Sequence, residues 1–121
     1  MVSGAQNQYN VVFESGSNLK SIGVSAFWVG LSGTITIPAS VTSIGNSAFA
    51  HCSSLSQVFF ESGITLKKIS QYCFYKTTGL SGTITIPASV TSIEESAFQE
   101  SSLSETLIIP ASVTSIGKNA L

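Results

Sequence analysis

The sequence has no arginine and no aspartate, a single histidine, two cysteines and three prolines, and only 9% of its 121 residues are charged. Five lysines against six glutamates leave a net charge of −1. Such a chain lacks the clustered cations that dominate affinity for a phosphate backbone, so nucleic acid is not an expected partner. Without aspartate a Ser-His-Asp arrangement is impossible, and a Ser-His-Glu one would have to centre on His51, for which nothing marks a companion. His51 reads instead as a partly exposed structural histidine at the end of a helical turn. Glu94 and Glu95 are adjacent at an expected helix start, where carboxylates suit the positive end of the helix dipole better than acid–base work. The chain is accordingly read as non-enzymatic.

Two cysteines fall far short of a disulfide scaffold, and Cys52, Cys73 and His51 lack the paired ligand spacings of zinc sites. No metal and no cofactor are expected. No stretch approaches the roughly 18–20 uninterrupted apolar residues of a membrane helix. The opening residues, Met1 to Gln8, contain no basic or apolar signal region, so a soluble chain with no membrane insertion and no signal peptide of its own is expected. There is no Asn-x-Ser/Thr sequon.

What the sequence has in abundance is hydroxyl, with 23 Ser and 11 Thr, and an internal repeat. The string Ser-Gly-Thr-Ile-Thr-Ile-Pro-Ala-Ser-Val-Thr-Ser-Ile occurs at 32–44 and, letter for letter, at 81–93, and its last seven residues recur at 110–116. The closing isoleucines, Ile22, Ile44, Ile69, Ile93 and Ile116, are 22, 25, 24 and 23 residues apart. Self-similarity at a period near 23 is the signature of a solenoid, in which each unit buries its apolar face only against its neighbours. The reading is a polar N-terminal arm, 1–8, followed by a solenoid over 9–121. Its coils run at about 9–29, 30–53, 54–78, 79–101 and 102–121, the last incomplete.

Within each coil the apolar period changes. Thr34-Ile35-Thr36-Ile37 and Thr83-Ile84-Thr85-Ile86 alternate strictly, as half-buried strands do. Spacings of three to five come next, as in Val41, Ile44, Ala48, Phe49 and Cys52, and fit a loop leading into a short helical turn, with Ser92 and Glu95 at capping-box spacing. Pro38, Pro87 and Pro110 end the strand in coils 2, 4 and 5, because proline has no N–H to donate. Coils 1 and 3 instead read Phe13-Glu14-Ser15-Gly16 and Phe60-Glu61-Ser62-Gly63, two residues longer, with a glycine suited to positive φ.

Stacking these coils aligns apolar columns: Val11, Ile35, Val58, Ile84, Leu107; Phe13, Ile37, Phe60, Ile86, Ile109; Leu19, Val41, Leu66, Val90, Val113; and Phe27, Phe49, Phe74, Phe98. Cys73 shares a small-residue column with Ala26, Ala48, Ala97 and Ala120. Cys52 falls four places later in its own coil, an offset a disulfide would have to close, so two free thiols are expected.

The run Ile37-Pro38-Ala39-Ser40-Val41-Thr42-Ser43-Ile44-Gly45, continued by Ala48-Phe49-Ala50-His51-Cys52-Ser53-Ser54-Leu55, resembles the BspA-like class of leucine-rich repeats. The likeness runs from about Tyr9 to Leu121, although the family cysteine is kept only at Cys52, with Gly30, Thr77 and Ser101 elsewhere. The resemblance implies an α/β solenoid coiled right-handedly, short parallel strands on the concave face and short helical turns on the convex face. It further implies an extracellular or cell-surface protein of bacterial or protozoan type, used for adhesion to a host or matrix protein ligand. A fold shared by many binders does not by itself fix a target.

With Ile35 and Ile37 inward, one outward row is Asn10, Thr34, Gln57, Thr83, Thr106, and the other is Val12, Thr36, Phe59, Thr85, Ile108. These rows are the candidate ligand-binding face, with Phe59 as central anchor, against the plain reading of Thr-rich strands facing solvent. An ice-binding threonine array is also considered, but Gln57 and Phe59 interrupt it. Trp28, Tyr72 and Tyr75 read as surface aromatics of the convex side, packing over loops or making a secondary contact. The final coil stops at the Phe position without a visible polar cap, and the first lacks the leucine that precedes the strand elsewhere. Either the chain belongs to a longer repeat protein, or its ends meet another copy head to tail through Val11, Phe13, Leu107, Ile109, Ile116 and Leu121 and build a filament.

Overall fold

The computed structural model describes residues 8–103 and 106–121. Among the described residues nine short strands succeed one another in chain order: β1 (Ser21–Ile22), β2 (Ser32–Ile37), β3 (Ser43–Ile44), β4 (Ser54–Phe60), β5 (Lys68–Ile69), β6 (Ile84–Thr85), β7 (Ser92–Ile93), β8 (Leu107–Ile108) and β9 (Ser115–Ile116). Every pairing is parallel and joins one coil to the next, giving a repeat solenoid of about four turns. The alternating segments build one ladder, β2 on β4 and β6 on β8. The dipeptides that close each repeat, Lys68-Ile69 in coil 3 and Ser-Ile in the others, build a second, β1 on β3 and β5 on β7 on β9.

The expected columns form, except that Ala26 and Ile109, placed at column ends, are exposed. Ile35 stands opposite Val58, Ile37 opposite Phe60, and Ile84 opposite Leu107. Phe27, Phe49, Phe74 and Phe98 stack with nearly parallel rings, centroids 5.6, 5.2 and 5.2 Å apart. That spacing is set by the rise between parallel strands, roughly 4.8 Å, and falls in the favourable range for aromatic pairs. Ala48, Cys73, Ala97 and Ala120 are buried in their column, and Val41, Leu66 and Val90 in theirs. Both cysteines are free and buried.

The third side of each coil corrects the expectation of helical turns: no helix exists among the described residues. The N–H groups of Ser25, Phe27 and Val29 donate to the carbonyls of Asn46, Ala48 and Ala50 in the next coil, at 3.0, 2.8 and 3.1 Å. The intervening N–H groups of Ala26, Trp28 and Gly30 close tight turns onto Gly23, Ser25 and Phe27. An α-helix needs every N–H for its own i−4 carbonyl, and here alternate ones are spent between coils. The geometry requires left-handed residues four apart, Ser25 and Val29, Ser47 and His51, Tyr72 and Lys76, Ser96 and Glu100, at φ between 53° and 67°. Each costs about 1–2 kcal/mol, which the intercoil hydrogen bonds offset. The Ser92–Glu95 capping box therefore does not form. Ser92 lies in β7, and its hydroxyl donates to Glu94 at 3.0 Å. Glu94 and Glu95 likewise meet no helix dipole.

Coil 3 is the irregular one. β4 carries an extra residue, Ser56, where Gly33 and Thr34 pair with Leu55 and Gln57, and the Ser56 hydroxyl donates to the Gly33 carbonyl at 3.0 Å. Gly33 accommodates the bulge at φ 76°. Ser70 stands where other coils have Gly23, Gly45 and Gly117, and its buried hydroxyl donates to the Ile44 carbonyl. Both ladders are interrupted beside this coil, the first between β4 and β6 and the second between β3 and β5.

Serine and threonine supply the remaining cross-links. Ser40, Ser89 and Ser112 donate their hydroxyls to the carbonyls of Leu19, Leu66 and Val90 one coil back, at 2.6, 2.5 and 2.7 Å. In the corner column Cys52 donates to the Phe27 carbonyl at 3.0 Å and Thr77 to that of Phe49 at 2.7 Å, whereas Ser101 turns to Phe98 of its own coil at 2.6 Å. The hydroxyl-rich composition thus works between coils as well as on the surface.

Candidate functional site

The outward rows lie where alternation puts them. Thr34 is opposite Gln57, Thr36 opposite Phe59, and Thr85 opposite Ile108. Val12, Thr34, Thr36, Thr83, Thr85 and Thr106 are exposed, as are Phe59 at 46% and Ile108 at 45%, whereas Gln57 is half-buried. Gln57 packs its amide over Gly82, where a Cβ would lie 2.3 Å from Nε2. The strand face is uncharged along both rows.

Beside Phe59 the strand face opens into a groove of about 570 Å³. Its lining runs from Phe59 and Phe60 through Glu61 and Gly63 to Pro87 and Pro110. The groove arises from turn length: coil 3 carries the long Glu-Ser-Gly turn with Gly63 at φ 86°, and the two coils after it turn short at proline. Alternation alone gives Phe59, Thr83, Thr85 and Ile108 but misses Glu61, Gly63, Pro87 and Pro110. The two-residue difference between the turns of coil 3 and of coils 4 and 5 is the signal that marks them. A shallower hollow of about 390 Å³ on the second ladder includes Ser43, Asn46, Lys68 and Ser70, at the break between coils 2 and 3.

On the turn side the surface aromatics join into a cluster. Trp28 meets His51 edge-on at 5.4 Å, His51 meets Tyr75 at 5.5 Å, and Tyr75 meets Tyr72 at 5.1 Å, with the Lys76 ammonium 5.4 Å from the Tyr75 ring. His51 is half-buried among these rings, a packing role, and it ends no helix. Burial pushes both the Cys52 and the Cys73 thiol above their ordinary values. Among the described residues no group of three or more His, Cys, Asp or Glu is placed to hold a metal ion, and no helix is long and apolar enough to cross a membrane.

Of the residues named for end-to-end contact, Val11, Phe13 and Leu107 are half-buried against the core. Ile109, Ile116 and Leu121 are exposed at 37, 47 and 60%. The N-terminal arm lies outside the described residues except for Gln8.

A family model of the BspA type leucine rich repeat region matches residues 5–121 in six copies. The chain belongs to that family. Among solved structures it is similar to a leucine rich cell surface protein from Faecalibacterium prausnitzii, with 25% identity and a TM-score of 0.57 over 93% of this chain and 33% of that one. A T. pallidum leucine rich repeat protein matches with 20% identity and a TM-score of 0.48, covering 88% of this chain and 72% of that one. A leucine-rich repeat protein from Bacteroides ovatus matches with 26% identity and a TM-score of 0.38, covering 84% and 49%. No curated protein matches. The chain spans about a third of the length of the F. prausnitzii protein.

Proposed function

We propose that this chain is a non-enzymatic recognition module that binds a protein ligand, of host or matrix type, through its strand-bearing face. On this reading that face is the concave one and the protein works outside the cell or at its surface. The observation that carries the proposal is the exposure of Phe59 and Ile108 on an otherwise uncharged, hydroxyl-lined face, directly beside the groove. Aromatic anchors near the centre of a patch dominate interface energies, and threonines around them supply hydrogen bonds at little entropic cost. The likeness to a cell surface protein of F. prausnitzii supports the location.

The test compares beads coated with the chain and beads coated with its Phe59→Lys, Thr85→Lys variant for adhesion to immobilised extracellular-matrix protein. Both positions are exposed, so the variant is expected to keep its fold, which circular dichroism checks. Adhesion by the parent and its loss in the folded variant are expected, and equal adhesion contradicts the proposal.

A second reading, head-to-tail stacking into filaments, draws on the exposed Ile109, Ile116 and Leu121. Negative-stain electron microscopy over a concentration series checks it. Filaments lost on Leu121→Lys support stacking, and discrete particles at every concentration exclude it.

A further inference from the structure

If the strand face is a recognition surface, the reading on which this inference rests, its groove decides which ligands it accepts. Among the described residues, Glu61 is the one ionisable side chain that lines the groove; every other lining group is apolar, a hydroxyl or backbone. All five lysines stand elsewhere.

Glu61 is also held in place at two points. Its Oε1 accepts the Ala39 N–H from coil 2 at 2.7 Å, and its own N–H donates to the Ile37 carbonyl at 2.9 Å. Among the described residues no hydrogen-bond partner reaches Oε2. A fixed carboxylate at the edge of an apolar groove discriminates by charge. A wholly apolar ligand strips water from it without compensation, an anionic one is repelled, and a cation beside the apolar group recovers the loss through a charge-assisted hydrogen bond. Because Glu61 is anchored before the ligand arrives, little side-chain freedom is lost on pairing.

We propose that the groove takes a protein segment in which an apolar side chain, seated against Phe59, Ile108 and Pro87, is neighboured by a lysine or arginine that pairs with Glu61. The partner is thus a basic, apolar linear segment. Acidic segments are excluded.

The experiment selects a display library of random linear peptides on the full chain, with counter-selection on Phe59→Lys. Recovered peptides are then measured against Glu61→Gln and Glu61→Lys. Glutamine keeps the oxygen that accepts the Ala39 N–H, so that variant removes charge and retains the turn; unchanged circular dichroism and melting establish this. The expected result is enrichment of Leu, Ile, Phe or Trp beside Lys or Arg, with affinity falling about tenfold or more on Glu61→Gln. Binding also weakens as salt rises. Peptides that need Phe59 but show no cationic preference, or that ignore Glu61→Gln, overturn the pairing and leave the recognition face standing. If no peptide depends on Phe59, both fall.

Discussion

Thr77 donates its hydroxyl to the carbonyl oxygen of Phe49, one coil earlier, at 2.7 Å and in full burial, as Cys52 does for Phe27. The Phe27 carbonyl also accepts the Gly30 N–H at 2.8 Å, whereas among the described residues the Phe49 carbonyl has Thr77 as its donor. Thr77→Val keeps the shape and removes the donor. It is expected to cost about 1–3 kcal/mol, the desolvation of a carbonyl left without a partner. Urea unfolding measures it, and Thr77→Cys should lose less.

Phe74 stacks between Phe49 and Phe98, so Phe74→Ala opens a cavity in the middle of the column. A loss of about 3–5 kcal/mol is expected, visible as a lower urea midpoint. Close backbone approach is tested by two glycines. A Cβ on Gly45 would lie 2.5 Å from the Val24 backbone nitrogen, whereas one on Gly82 meets the movable end of Gln57. Gly45→Ala is expected to destabilise strongly and Gly82→Ala mildly, since only in the second can a side chain swing away.

The strands and inward columns were legible in the sequence because the alternation of Thr34 to Ile37 recurs at Thr83 to Ile86 and the repeat frame carries its register to the continuous apolar runs of the other coils. The turn side was not. The spacing of Val41, Ile44, Ala48 and Phe49 fits a helical turn equally well, and no local pattern reveals that the Phe27 N–H is taken by Ala48 of the neighbouring coil. Coil 3 hid its breaks for a similar reason. Ser56 and Ser70 look like any other serine until a partner coil shows that one bulges and the other fills a glycine's place. The outward rows were readable, yet the groove beside Phe59 depends on comparing turn lengths between coils, which single-coil reasoning passes over.

The buried thiols give a pH dependence. Burial raises the folded-state pKa of Cys73 and of Cys52, so the neutral thiol is favoured in the fold. Their contribution is fully present below the unfolded thiol value, about 8.5, and is lost progressively as pH rises above it. Stability measured by urea is expected to decline from near pH 8.5 upward, less so in Cys73→Ala. Alkylation of the native protein at neutral pH should be slow at both cysteines and fast after denaturation.

The most direct measurement of the recognition face is hydrogen–deuterium exchange of the chain with and without a Phe59-dependent peptide. Slowed exchange confined to 58–64, 83–89 and 108–110 is the predicted result. Protection on the turn side, around Trp28, His51 and Tyr75, with the strand face unchanged, would contradict it.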